Sequence, residues 1–340
     1  MIYLIECLGG YRGEEIPLLL GVLVMDRRGF LGMGLVAGAA AVAPRWMVGQ
    51  AAGQSAAVPD RVAQGRAAAL TTPIKTTKLY DNVFLLQGAG GNMALQAGPD
   101  GNVLIDSSFS TSVPKVREAI AAVSHDASGT LINTHWHYDH TDGNEGMRAA
   151  GYTIYAHRKT RERMSTPQTI RFFHIEMPAS PAAALPSITF GDSMQAWRNG
   201  DSLDLMHFDP AHTDTDIYIH FHKANVLHVG DTWFNGFYPF IDEATGGVIG
   251  GMISANEKAL AVADNDTKII PGHGPLGTKA DLQKFHDMLS AVRDKVAALK
   301  AGGASEQEVV AKKPTAEFDA AWGKGMFGGD VFTGIVYRTV

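Results

Sequence analysis

The stretch Thr134-His135-Trp136-His137-Tyr138-Asp139-His140 follows at once on the apolar run Thr130-Leu131-Ile132-Asn133, and no other segment restricts the fold of this chain as much. A buried strand that opens into a tight loop of imidazoles and a carboxylate must end at a sheet edge, where such side chains can converge. Three histidines and an aspartate within six residues read as a metal site. Neutral imidazole is the usual nitrogen ligand of zinc, and a carboxylate neutralises charge while leaving space for water. A single pair of histidines would be read more simply as packed or solvated rings. Here the cluster is matched by further candidate ligands at strand ends downstream: His212, Asp231 and His273. The sole cysteine is Cys7, far upstream of all of these. Any metal must therefore be held by nitrogen and oxygen, and a disulfide framework is excluded.

The rest of the chain reads as mixed α and β. Short apolar runs between Gly-rich or Pro-Asp-Gly turns predict strands over 83–86, 93–97, 103–106, 130–133, 152–156, 202–208, 216–222, 226–229 and 268–270. Helical stretches are expected over 113–123, in a short segment through Met147, and over 254–263 and 279–300. Strand runs followed by helices in both halves favour two packed sheets flanked by helices. Residues 158–199 are the widest departure from regular structure. A loop of that length suits a lid, with Phe172, Phe173 and Trp197 either walling a substrate or anchoring the loop on the core. His220, His222 and His228 alternate with apolar residues in strand-like runs and read as packed or solvated; His157 and His174 are open in role.

His135-x-His137-x-Asp139-His140 resembles the signature of the metallo-β-lactamase superfamily, and Pro210-Ala211-His212-Thr213, Val229-Gly230-Asp231-Thr232 and Pro271-Gly272-His273-Gly274-Pro275 recur in the same order. The resemblance covers residues 79–340, taken as the catalytic domain behind a lead-in at 58–78. It implies an αββα sandwich of two mixed β-sheets flanked by helices, with metals at one edge. It also implies two zinc ions: one on His135, His137 and His212, the other on Asp139, His140 and His273, with Asp231 bridging. Asp106 would support these ligands without binding metal. An aspartate at the bridge is the glyoxalase II-like choice, so the implied activity is that of a general hydrolase cleaving a lactam, lactone, ester or thioester, with β-lactamase-like activity included. Water held between two such ions loses its proton near neutral pH and becomes the nucleophile. Asp139 would orient it or relay a proton, and Trp136, Tyr138 and Asn235 are the side chains placed to contact substrate. An iron-dependent redox enzyme on the same fold and a metal-binding relay protein with little turnover are the competing readings. The residues after the bridge, Thr232, Trp233 and Phe234, offer a single hydroxyl, which favours a neutral or weakly anionic small molecule. Nucleic acid is disfavoured as a partner, because the formal charge is −6 and phosphate recognition requires a basic footprint.

The N-terminal region reads as an address. Asp26-Arg27-Arg28-Gly29-Phe30-Leu31 precedes an apolar, small-residue run over 32–43, the order of a twin-arginine export signal. Residues 1–24 then form an upstream extension, Met25 the start, and 25–57 the signal with cleavage after Ala57. Export by that machinery makes the expected compartment the periplasm. Replacing Arg27 and Arg28 together by Lys should leave the precursor in the cytoplasm with its lysate activity intact; an unchanged periplasmic yield would contradict the signal.

Overall fold

Side chains that alternate from face to face along each strand define the layers of this molecule. The structure, a computed structural model, describes residues 60–340, so the twin-arginine segment, its cleavage region and the upstream extension lie outside the described residues. Strands β1 (Lys75–Lys78), β2 (Val83–Gln87), β3 (Met93–Gln96), β4 (Asn102–Ile105), β5 (Gly129–Ile132) and β6 (Tyr152–His157) come first. A small hairpin, β7 (Gln168–Ile170) and β8 (Ile175–Met177), precedes β9 (Ile188–Phe190). Then come β10 (Ser193–Arg198), β11 (Asp201–His207), β12 (Ile217–Phe221), β13 (Val226–His228) and β14 (Lys268–Ile270). The first sheet has the order β1-β2-β3-β4-β5-β6-β9, and the second has the order β10-β11-β12-β13-β14.

Both faces of the central strands are apolar. Leu85, Ala94, Val103, Ile105 and Ile132 from the first sheet meet Leu203, Leu205, Ile217, Ile219, Phe221, Val226 and Ile270 from the second, which makes the core between the sheets. Their neighbours in sequence point the other way. Leu86, Leu95, Leu104 and Leu131 pack under the helices Val113–Ala121 and Asn144–Ala149. Tyr218, Leu227 and Ile269 pack under Ile249–Val262, Lys279–Ala301 and Gly329–Thr339. The αββα expectation holds, and its cause is legible in the near-continuous apolar runs of strands buried on both sides.

This topology also concentrates chain ends. β4 pairs parallel with β5, and β13 pairs parallel with β14. Parallel neighbours finish at the same edge, so the residues just beyond Ile105, Ile132, His228 and Ile270 emerge together, at the place where open α/β sheets receive ligands. Cross-sheet bonds lock that edge: Ile217 N–H donates to Thr134 O at 2.9 Å and Asn92 N–H to Gly272 O at 2.7 Å.

The segment 158–199 departs from the sequence expectation. It contains the helix Arg158–Met164, the β7–β8 hairpin, β9 and the edge strand β10. These pieces are short, and β10 shows solvent every second side chain, so few apolar positions announced them. Trp197 stands 70% exposed on that edge strand instead of walling a cleft. The helix expected over 254–263 begins earlier, at Ile249; Gly250 and Gly251, poor helix formers, hid its first turn in the sequence. Gly251 is required there: a Cβ would fall 1.6 Å from Pro210 O. The helix Asp60–Thr71 was not expected within the lead-in.

Phe221 is fully buried in the core between the sheets. Phe221→Ala should cost ~3–5 kcal/mol in denaturant unfolding, from lost burial plus the cavity left behind. A change below ~1 kcal/mol would mean that the two sheets are not tightly packed at that point.

Candidate metal centre

His135, His137 and His140 leave the end of β5 on one loop, with Asp139 between the last two. His212 comes from the turn before β12, Asp231 from the turn after β13, and His273 from the Pro-Gly-His turn after β14. The structure brings all seven together in two groups. Donor atoms of His135, His137, His212 and Asp231 lie within 4.8 Å of one another, as do those of Asp139, His140 and His273. Asp231 touches both: its Oδ1 is 3.1 Å from His140 Nε2, while its Oδ2 is 3.4 Å from His212 Nε2 and 3.4 Å from His273 Nε2.

Four of the five imidazoles are oriented from behind. Asp106, at the end of β4 with φ 62°, lies 2.7 Å by its Oδ2 from His140 Nδ1 and accepts the Thr134 hydroxyl at 2.7 Å. Thr134 Oγ1 in turn lies 3.0 Å from His135 Nδ1. His137 Nε2 is 3.1 Å from Asp242 Oδ2, and His212 Nδ1 is 2.7 Å from Phe240 O. Because Asp242 and the Phe240 carbonyl are acceptors, those nitrogens carry the protons. The opposite nitrogens, His137 Nδ1 and His212 Nε2, then face each other at 2.9 Å, lone pair against lone pair wherever no proton or cation sits between them.

That arrangement repels itself unless something positive lies between the lone pairs. One further atom makes the same demand. His135 Nε2 is buried without a hydrogen-bond partner, a state that costs ~1–3 kcal/mol when nothing compensates. The residues present thus fit a cation on each group of donors, and nitrogen with carboxylate oxygen is a donor set suited to zinc. The approach is tight: a Cβ at Gly272 would stand 1.9 Å from Asp231 Oδ1, so only glycine lets the His273 turn close over the carboxylate.

Electrostatics sort the donors. Burial pushes His135 well below its usual pKa and takes His212 down to about 4, so both stay neutral and able to ligate. Burial opposes charge on Asp231 as well, but His273, His140 and His135 around it hold its carboxyl well below the usual carboxylate range. His273 is also desolvated, yet Asp231 and Asp139 lift it to about 9.

The residues expected to meet substrate are placed differently. Trp136 is buried, with its indole N–H 3.3 Å from Thr245 Oγ1. With Tyr138 it lines a cavity of about 420 Å³ that no donor residue lines. Asn235 donates its amide to Pro275 O at 2.9 Å and its backbone N–H to His273 O at 2.9 Å, so it secures the His273 turn. Phe172 and Phe173 pack on Phe240 at 5.6 and 4.8 Å between ring centres, and Phe240 lies against His212 at 5.7 Å. His228 is buried and bonds Asn92 O at 3.0 Å, whereas His157 stacks on His207 at 3.7 Å. Asp242 and the Phe240 carbonyl were missed by sequence reasoning; neither carries a local motif.

Residues 86–273, more than half of the chain, match the family model described as the metallo-beta-lactamase superfamily. The chain belongs to that superfamily. A relative from Polaromonas sp. called hydroxyacylglutathione hydrolase is 27% identical over 189 residues, which are 51% of this chain and 64% of that protein, so the match spans less than two thirds of the relative's length. Among solved structures, a metallo-beta-lactamase from Pontibacter korlensis superposes with TM-score 0.52 at 15% identity, covering 64% of this chain and 99% of its own. The DIM-1 metallo-beta-lactamase superposes with TM-score 0.50 at 16% identity, covering 64% and 97%. Likeness at that identity concerns the superfamily fold alone.

Two substitutions separate holding a metal from supporting its holders. Asp231→Ala removes the carboxylate shared by the two groups, and metal content should fall towards one ion per chain. Asp106→Ala leaves all seven donors in place and should weaken metal affinity ~10–100-fold by freeing His140 and Thr134. Metal analysis after dialysis against graded chelator measures both. Full retention of metal by the Asp231 variant would refute the shared role.

Proposed function

We propose that this chain is a metal-dependent hydrolase of small acyl compounds, cleaving a thioester, ester, lactone or lactam bond with two zinc ions. The observation that carries this reading is Asp231, one buried carboxylate that reaches nitrogens of both donor groups, Oδ1 at 3.1 Å from His140 and Oδ2 at 3.4 Å from both His212 and His273. His135, His137 and His212 would hold one ion, Asp139, His140 and His273 the other, and Asp231 both. When bound, such a pair of ions polarises a carbonyl and brings the pKa of water towards neutrality.

The chain's own residues supply orientation and exclusion. Asp106, Thr134, Asp242 and the Phe240 carbonyl fix which nitrogen of His140, His135, His137 and His212 points inward, so these four donors are preorganised. Asp139 and His273 are the open side, each side chain 23% exposed, whereas the other five donors are nearly sealed. Substrate therefore approaches over Asp139. One Asp139 oxygen lies 3.2 Å from His273 Nε2, which leaves the other to orient a water or take a proton at that mouth. The aromatic rings of Phe240 and Phe234, 5.7 and 5.8 Å from the His212 ring, keep bulk water from the closed side.

A relative named hydroxyacylglutathione hydrolase makes thioesters the first class to assay. The twin-arginine pair at Arg27 and Arg28 supports an exported site of action. The test is a panel of thioesters, esters, lactones and β-lactams given to the purified zinc form, with metal counted on the same sample. About two zinc ions per chain and chelator-sensitive turnover of at least one carbonyl class are expected. Iron with a visible absorption band, and no turnover across the panel, would sink the proposal.

A further inference from the structure

A second group of metal-type donors lies on the outer face of β11 and β12. His220 and His222 stand one residue apart on or just past β12, so both point to the face opposite Ile219 and Phe221, which enter the core between the sheets. Their rings are 4.3 Å apart and inclined at 37°. Asp204 sits directly across the ladder from His220, and its Oδ2 is 2.8 Å from His222 Nε2. Its Oδ1 accepts from Gln195 Nε2 at 2.7 Å, which steadies the carboxylate. β12 begins beside the metal loop, where Ile217 N–H bonds Thr134 O. His222 lies at its far end, ~16 Å along the strand.

We propose that His220, His222 and Asp204 form a surface site for one divalent transition-metal ion of the zinc type, separate from the seven-donor centre. Two imidazole nitrogens that share a tetrahedral ion, each ~2.1 Å from it, lie ~3.4 Å apart. Rings 4.3 Å apart reach that spacing by rotation of the His222 side chain, which is 42% exposed and bonded to Asp204. The ion replaces the proton shared between His222 and Asp204, and Asp204 supplies the carboxylate of a two-histidine, one-carboxylate set. The surroundings favour a cation. Besides His222, the charges that bear most on His220 are those of Asp204, Asp201 and Asp264, all negative. Burial lowers the pKa of His220, which keeps its ring neutral and able to ligate. Water completes the coordination, since Asp204 and His222 are open to solvent, and this makes the site exchangeable where the buried centre is not.

The experiment titrates Zn²⁺ into full-length, zinc-loaded protein by calorimetry, for wild type, His220→Ala, His222→Asn, Asp204→Asn and Asp231→Ala. Wild type should take up one equivalent beyond the tightly held zinc. Both histidine variants should lose that equivalent and keep the tightly held metal, and Asp204→Asn should weaken it by ~10-fold or more. Asp231→Ala should lose tightly held zinc and retain the exchangeable equivalent, so the surface site stands or falls independently of the proposed hydrolase. Absence of the extra equivalent in wild type, or its persistence unchanged in both histidine variants, overturns the assignment.

Discussion

Everything at the working edge of this molecule depends on lone pairs forced to face one another. His137 Nδ1 and His212 Nε2 stand 2.9 Å apart because the far nitrogens of both rings are committed, one to Asp242 and one to the Phe240 carbonyl. An apolar core could have been built without any of these groups. Desolvating five imidazoles and two carboxylates disfavours folding unless their charges and lone pairs are compensated. The compensation is partly internal, Asp231 against His140 and His273, and the two groups of donors could be completed by metal ions. The inter-sheet and outer cores supply the stability against which this concentration of polar groups is set.

The fold places the donors by a simple device. Four parallel strands in two sheets end at one edge, and the turn after each carries a functional residue: Asp106 after β4, the histidine loop after β5, Asp231 after β13 and His273 after β14. Antiparallel neighbours would have put half of these residues at the opposite end. Glycine at 272 lets the last of these turns come within contact of Asp231. The positive φ of Asp106 turns its carboxylate back under His140 and Thr134, so a strained backbone position and a supporting hydrogen-bond network coincide in one residue.

How much of this was legible follows from where each signal is written. Residue type and the preceding apolar strand marked the His135–His140 cluster, the resemblance of the short motifs around His212, Asp231 and His273 to the superfamily pattern completed the set of seven, and strands buried on both faces agreed with the two sheets it implied. Asp242 is one acid among the 35 Asp and Glu residues of the chain. Only the return of the chain after Asp231 puts it behind His137, and nothing local marks it. The same holds for the Phe240 carbonyl, since a backbone acceptor has no residue signature. Trp136 and Asn235 looked like substrate contacts because they neighbour ligands in sequence. Yet on a ligand loop or turn the residues between donors point away or brace the backbone, as the Trp136 bond to Thr245 and the Asn235 bond to Pro275 illustrate. β10 and the helix Asp60–Thr71 escaped notice for a different reason: edge and surface elements bury too few side chains to impose a period.

That helix nevertheless bears on the metal loop. Arg66 grips both oxygens of Asp142, two residues past His140, and Asp142 Oδ2 also accepts the Ser110 backbone N–H at 2.8 Å. Lys115 donates to the carbonyls of Ala69, Leu70 and Thr72, closing the helix C-terminus with the positive charge its unpaired carbonyls and dipole favour. At its other end Arg61 lies over the Phe173 ring at 4.4 Å, and Phe173 packs on Phe240, whose carbonyl orients His212. The helix thus braces the site from two directions, through Asp142 behind His140 and through Phe173 and Phe240 behind His212. Its sequence is unremarkable as a helix, and its place is determined by these partners more than by propensity. A segment that reads as a mere lead-in is therefore part of the frame that holds the ligand loop, and the functional unit begins before the first strand of the sandwich.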